Sequence, residues 1–184
     1  DFGIIGIGRI GTSMARNMSS KGIIVSLYDK SHNSLDNLKN DYPELESSLV
    51  FDDINKFISS ISKPRKVLVL VPSGPALDEV ISLLIQYLDS NDILIDGGNT
   101  NPNVSFENHQ TIKSKNLLYL GMGVSGGVKG VLEGPSIMIG GDTNAFDQVK
   151  NIFTQITSKT INGSKSFEFF GDSNQGHFVK MIHN

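Results

Sequence analysis

Gly6-Ile7-Gly8-Arg9-Ile10-Gly11 constrains the fold of this chain more than any other stretch. It stands directly behind an apolar run, Phe2 to Ile5, and opens a helix-period segment, Ile10 to Ser20. The first glycine permits a tight turn, the second lets a pyrophosphate approach backbone N–H groups, and the third lets the helix pack closely on the strand. Taken alone, the pattern also describes an ordinary glycine-rich turn. Its context is more specific, because the next apolar run, Ile23 to Tyr28, ends at Asp29, 18 residues after Gly11. A carboxylate there would accept hydrogen bonds from an adenosine ribose. A strand, a glycine turn, a helix and a second strand ending in an acid point to a dinucleotide-binding unit.

The same rhythm continues along the chain. Val67 to Val71, Ile93 to Ile95 and Leu117 to Leu120 are nearly continuous in Ile, Leu and Val, as strands buried on both faces are. Helices are expected at about Ser34 to Asn40, at Ile54 to Ser60, at Ala76 to Leu88 and at Val104 to Lys115. The third is the clearest, with Pro75 at a first helical position and Leu77, Val80, Ile81, Leu84, Ile85 and Leu88 repeating at three and four. Ser136 to Ile139 reads as a further strand, Ala145 to Ile156 as a helix and Phe167 to Phe170 as a late strand. Strands alternating with helices imply an α/β fold of the Rossmann type: a doubly wound, mainly parallel sheet with helices on both faces. This domain is expected over residues 1–175, and residues 176–184 read as the opening of a helix. On helical spacing His177, Lys180 and Asn184 share one face of it, with His183 beside them.

Composition removes several function classes. The 184 residues suit one domain, and no apolar run approaches the length needed to span a bilayer. A formal charge of −3, from 16 Lys and Arg against 19 Asp and Glu, leaves no basic excess for a phosphate backbone, so nucleic acid is not an expected partner. Without cysteine there is no disulfide framework and no thiolate nucleophile, and the four histidines are scattered, so no metal site is expected. The chain opens on an apolar strand with no charged segment ahead of it, which reads as no targeting signal and fits a cytoplasmic protein.

Other positions carry two readings each. Asp29 favours NAD, since its carboxylate accepts from a 2′-hydroxyl and repels a 2′-phosphate. Lys30 and Ser31 follow it and offer a phosphate two partners, which keeps NADP open; Lys30 is otherwise a solvated loop charge. Asp96-Gly97-Gly98-Asn99 lies at a strand's carboxyl end, where such sheets place ligands, but it also describes a turn capped by Asp. Gly121 to Gly127 follows the next strand as either an anion-binding loop or a flexible connection. Lys180 is either a base acting on a substrate hydroxyl or an ordinary solvated lysine.

Taken in order, Gly6-x-Gly8-x-x-Gly11, Asp96-Gly97-Gly98-Asn99, Gly123-Val124-Ser125-Gly126-Gly127 and Gly176-His177-Phe178-Val179-Lys180-Met181-Ile182-His183-Asn184 resemble the 6-phosphogluconate dehydrogenases over essentially all 184 residues. The first motif, the Ser-Gly-Gly and the Lys are shared with the broader β-hydroxyacid dehydrogenases; the second and last strings look particular to this branch. The resemblance implies a coenzyme site at Gly6, Gly8, Arg9, Ile10, Gly11, Asp29, Lys30, Val71, Pro72 and Asn99. It implies a catalytic Lys180 with Asn184 beside it, Lys180 taking the proton from the C3 hydroxyl as hydride leaves C3. Asn99, Ser125, Gly126, Gly127, His183 and Asn184 would hold the sugar acid, 6-phosphogluconate. Loss of CO2 and protonation of an enediol would then give ribulose 5-phosphate.

Asp29-Lys30-Ser31 stands where the longer, NADP-using members typically carry Asn-Arg-Thr, and Pro72 where they carry Lys. Val71-Pro72-Ser73-Gly74 and Met138-Ile139-Gly140-Gly141-Asp142 look closer to the shorter branch, which often prefers NAD. In the family an acidic residue two turns beyond Asn184 protonates the enediol, and an all-helical domain that binds the substrate phosphate and forms the dimer comes after it. The expectation is therefore that this chain alone binds dinucleotide without turning over 6-phosphogluconate. Two other readings fit the same motifs in part: an NAD-dependent 3-hydroxyacid dehydrogenase without phosphosugar specificity, and a non-catalytic nucleotide-binding module.

Overall fold

The computed structural model describes residues 2–36, 38–171 and 174–184. The chain opens with β1 (Phe2–Ile5), α1 (Arg9–Ser20) and β2 (Val25–Tyr28). Two single-turn helices, α2 (His32–Leu35) and α3 (Leu38–Asp41), and a 3-10 turn at Pro43–Leu45 lead to a short β3 (Leu49–Phe51). Then come α4 (Ile54–Ser59), β4 (Lys66–Val69), α5 (Pro75–Leu84), β5 (Ile93–Asp96), α6 (Pro102–Lys113) and β6 (Leu118–Ser125). The chain closes with α7 (Gly127–Glu133), β7 (Ser136–Gly141), α8 (Thr143–Ile156), β8 (Phe167–Phe169) and α9 (Gln175–His183).

Among the described residues these strands form one eight-stranded sheet in the order β3-β2-β1-β4-β5-β6-β7-β8. The pairings are parallel except β6 with β7, which is antiparallel. Successive side chains on a strand face opposite ways, so each central strand feeds two cores. Phe2, Ile4, Leu68, Ile93 and Ile95 pack with Met14 and Met18 of α1 and with Val149 and Phe153 of α8. Ile5, Val67, Val69 and Leu94 pack on the other side with Phe57 of α4, Leu77, Ile81 and Leu84 of α5, and Ile112 of α6. The strand order reverses between β1 and β4, the switch point at which doubly wound sheets open a crevice.

Four expectations are corrected. The helix expected over Ser34–Asn40 is two separate turns, because Asp36 takes an extended backbone (ψ 132°) that ends α2; Asn37 lies outside the described residues. The helix from Pro75 ends at Leu84 instead of Leu88. Beyond it the tighter bonds from Gln86 N–H to Leu83 C=O and from Tyr87 N–H to Leu84 C=O turn the chain and carry Leu88 into the core. The strand expected to stop at Leu120 runs on to Ser125, and the glycine-rich stretch after it opens a helix, α7, that was read as loop. The edge strand β3 was not anticipated, since three residues, one of them exposed Leu49, carry little periodic signal.

Candidate functional site

The turn between β1 and α1 is built by its glycines. A Cβ on Gly11 would stand 1.9 Å from the Gly6 carbonyl oxygen, so helix and turn meet only because Gly11 lacks one. Gly8 is different: a Cβ there would meet no protein atom within 4 Å, and its bareness keeps open the space in front of the turn. Gly8 is also the N-cap of α1 and offers no side-chain acceptor, which leaves first-turn N–H groups for an anion. Asp29, at the end of β2, braces this turn. One carboxylate oxygen accepts from Ile7 N–H at 2.7 Å and the other from Ser31 N–H at 2.9 Å. Each keeps a further lone pair for a ligand hydroxyl.

Two hollows meet at Gly8, Leu70, Val71 and Pro72. The smaller, about 300 Å³, is walled by Gly6, Tyr28, Asp29 and Lys30 on one side and by Ala76, Glu79, Val80 and Leu83 of α5 on the other. The larger, about 950 Å³, takes in Arg9, Ile10, Gly11, Asn99, Ser125, Gly126, Gly127, Lys180, His183 and Asn184. The residues that the resemblance assigns to coenzyme and sugar acid border these two adjoining cavities, whereas Ser31, Asp96 and Gly121 to Gly123 border neither. Lys30 is exposed to solvent, and its ammonium lies 2.9 Å from Glu79, a partner that the sequence reading missed.

Lys180 reaches the larger cleft because α9 lies directly on the sheet. A Cβ on Gly123 would fall 2.3 Å from Lys180 Cβ, and one on Gly176 would fall 2.3 Å from the Gly121 carbonyl oxygen. The glycines of β6 are therefore a packing surface for α9, which corrects their reading as a loop. Lys180 is buried, and among the described residues no carboxylate pairs with it.

A buried chain of hydrogen bonds ties α9 to the turn that carries Asn99. His177 Nδ1 lies 2.8 Å from Ser105 Oγ, Ser105 Oγ lies 3.0 Å from the Tyr119 hydroxyl, and that hydroxyl donates to Asp96 at 3.3 Å. The other Asp96 oxygen accepts from Gly98 N–H at 3.0 Å. Asp96 is thus the cap of its turn, and the same turn brings Gly97, Gly98 and Asn99 to the wall of the larger cleft. Ser105 and Tyr119 were not anticipated, since neither stands in a motif.

Burial pushes the Tyr119 phenol well above its ordinary range, and Asp96 adds to it. Burial also pushes the His177 imidazole down, although the Asp96 carboxylate and the backbone of Asp96 and Gly98 pull the other way. The unfolded chain therefore binds this proton more readily than the folded one. The resulting penalty on stability begins as pH falls through about 6.5 and is complete below the folded value. Urea unfolding above and below that pH should show a smaller pH dependence for His177→Asn than for the unaltered chain. An identical dependence in both would contradict this account.

Residues 1–164 match the family model described as the NAD binding domain of 6-phosphogluconate dehydrogenase. The decarboxylating 6-phosphogluconate dehydrogenase of Staphylococcus epidermidis is 38% identical over 183 residues, covering 100% of this chain and 39% of that protein. The corresponding enzyme 1 of Saccharomyces cerevisiae is 36% identical over 184 residues, 37% of its length. This chain thus spans well under half of these curated relatives. The 6-phosphogluconate dehydrogenase of Plasmodium falciparum, solved in its apo form and in complex with its cofactor NADP+ and its substrate, superposes with a TM-score of 0.94 at 34% identity, over 100% of this chain and 39% of that one. The 3-hydroxyisobutyrate dehydrogenase of Mycobacterium tuberculosis superposes at 0.82 with 18% identity, over 99% of this chain and 58% of its own, and shares the fold.

Proposed function

The chain belongs to the 6-phosphogluconate dehydrogenase family, as its NAD-binding domain, and we propose that it is the coenzyme-binding part of an enzyme that converts 6-phosphogluconate to ribulose 5-phosphate and CO2. The observation that carries this reading is the larger cleft, where Lys180, Asn99, Ser125, His183 and Asn184 stand around one space that adjoins the glycine turn.

The open space at Gly8 and the uncapped start of α1 suit a nicotinamide dinucleotide. Gly8, Arg9, Ile10 and Gly11 would hold its pyrophosphate, Asp29 its adenosine ribose, and Val71, Pro72 and Asn99 its nicotinamide half. When bound, this group supplies a hydride acceptor. Lys180, with its stem fixed against Gly123, takes the proton of the C3 hydroxyl, and Asn99, Ser125, Gly126, Gly127, His183 and Asn184 orient the acid's carboxylate and hydroxyls. The protonated Lys180 then stabilises the oxyanion that develops as CO2 departs. Asp29 favours NAD over NADP. Phe178, Met181 and Ile182 are exposed on α9, apolar surface that supports the continuation of this helix into a further domain that completes the enzyme.

A substrate panel on the full-length protein tests the reading. Reduction of NAD+ or NADP+ with CO2 release is expected for 6-phosphogluconate and not for 3-hydroxyisobutyrate. The reverse pattern would favour a general 3-hydroxyacid dehydrogenase.

A further inference from the structure

The smaller cavity adjoins Asp29 on the side away from Lys180, and reading it as the adenosine end rests on the dinucleotide site proposed above. One charged residue at its wall belongs to no motif. Glu79, on α5, meets Lys30 across the cavity mouth at 2.9 Å. The pair is exposed, and Glu79 holds the Lys30 ammonium above its ordinary pKa. The Tyr28 hydroxyl reports the charge around this mouth. It is pushed up first by burial, then by Asp29 and Glu79, with Asp53 adding and Lys30 opposing. Among the described residues that border the cavity, two carboxylates, Asp29 and Glu79, stand against one ammonium, Lys30.

We propose that Glu79 is a specificity-determining residue for the dinucleotide, occupying Lys30 and adding negative charge beside Asp29 so that a free 2′-hydroxyl is accepted and a 2′-phosphate is refused. Among the described residues Lys30 is the one cation that borders this cavity, and it is already engaged by Glu79. A phosphate entering here would have to displace one carboxylate while facing another. An uncharged 2′-hydroxyl meets neither difficulty and donates to the free lone pairs of Asp29.

The test is calorimetric titration of the chain and of Glu79→Gln with NAD+ and with NADP+. The ratio of the NADP to the NAD dissociation constant is expected to fall by roughly five- to tenfold in the variant at low salt, and by less as ionic strength rises. Taking the ratio cancels any change in the shape of the cavity that both dinucleotides would feel. Lys30→Gln on the Glu79→Gln background should reverse the gain, because Lys30 is the group that Glu79→Gln releases. An unchanged ratio, with both dinucleotides bound, overturns the role of Glu79 alone. Binding of neither by the unaltered, folded chain overturns the dinucleotide site and this role with it.

Discussion

Lys180→Met in the full-length protein should lower kcat for 6-phosphogluconate by about two to four orders of magnitude, the range over which a positioned base acts. The variant keeps a straight apolar stem to lie on Gly123, where a Cβ would come within 2.3 Å of Lys180 Cβ, so the seat of α9 on β6 is retained. What it loses is the only nitrogen that Lys180 brings to the larger cleft. Lys180 is not among the residues assigned to the dinucleotide, so the dissociation constant for NAD+ should stay within about twofold. Lys180→Arg should not restore turnover, because a guanidinium does not give up its proton. Steady-state kinetics with 6-phosphogluconate, paired with a dinucleotide titration, separates these effects. Retained kcat in Lys180→Met would remove the lysine from the chemistry.

Gly8→Val should weaken dinucleotide binding severely while leaving the fold in place. The backbone at Gly8 is extended, φ −80° and ψ −169°, so a β-branched residue fits it without strain. A Cβ there meets no protein atom within 4 Å, so nothing in the core must move, and the change at the helix N-cap costs about 1 kcal/mol or less. The same side chain would fill the space in front of the first-turn N–H groups, where a pyrophosphate must come close. The expectation is a weakening of NAD+ binding by roughly a hundredfold or more, with a urea midpoint near that of the unaltered chain. Gly11→Val is the useful contrast, because a Cβ there lies 1.9 Å from the Gly6 carbonyl and should destabilise the domain itself.

The parts of the fold legible in the sequence are those whose signal is local. β1, β4 and β5 are buried on both faces and so read as runs dominated by apolar residues, Ile, Leu and Val above all, and Asp29 is found by its spacing from the glycine turn. β6 was cut short because Gly121 and Gly123 have poor strand propensity. A glycine inside a strand also marks the close approach of another backbone, and that signal was present. Here the approaching element, α9, is more than 50 residues further along the chain. α7 was missed because two glycines in seven residues, Gly127 and Gly130, lower its helical propensity.

The buried chain through Ser105, Tyr119 and His177 left no local trace, since Ser105 and His177 are 72 residues apart and meet only once the sheet is assembled. Lys30 and Glu79, 49 residues apart, are hidden for the same reason. The candidate site fared better than its supports. Residues that face a ligand sit at strand ends and helix starts in short strings, whereas those that brace them are single side chains brought together from distant elements.

The most direct test of the account is a calorimetric titration of the 184-residue chain with NAD+ under conditions where circular dichroism shows it folded. Saturable binding to a single site per chain, severely weakened in Gly8→Val, is the predicted result. A folded chain that binds no dinucleotide up to millimolar concentration, or a Gly8→Val variant that binds as well as the unaltered chain, would contradict the assignment of this domain to the coenzyme.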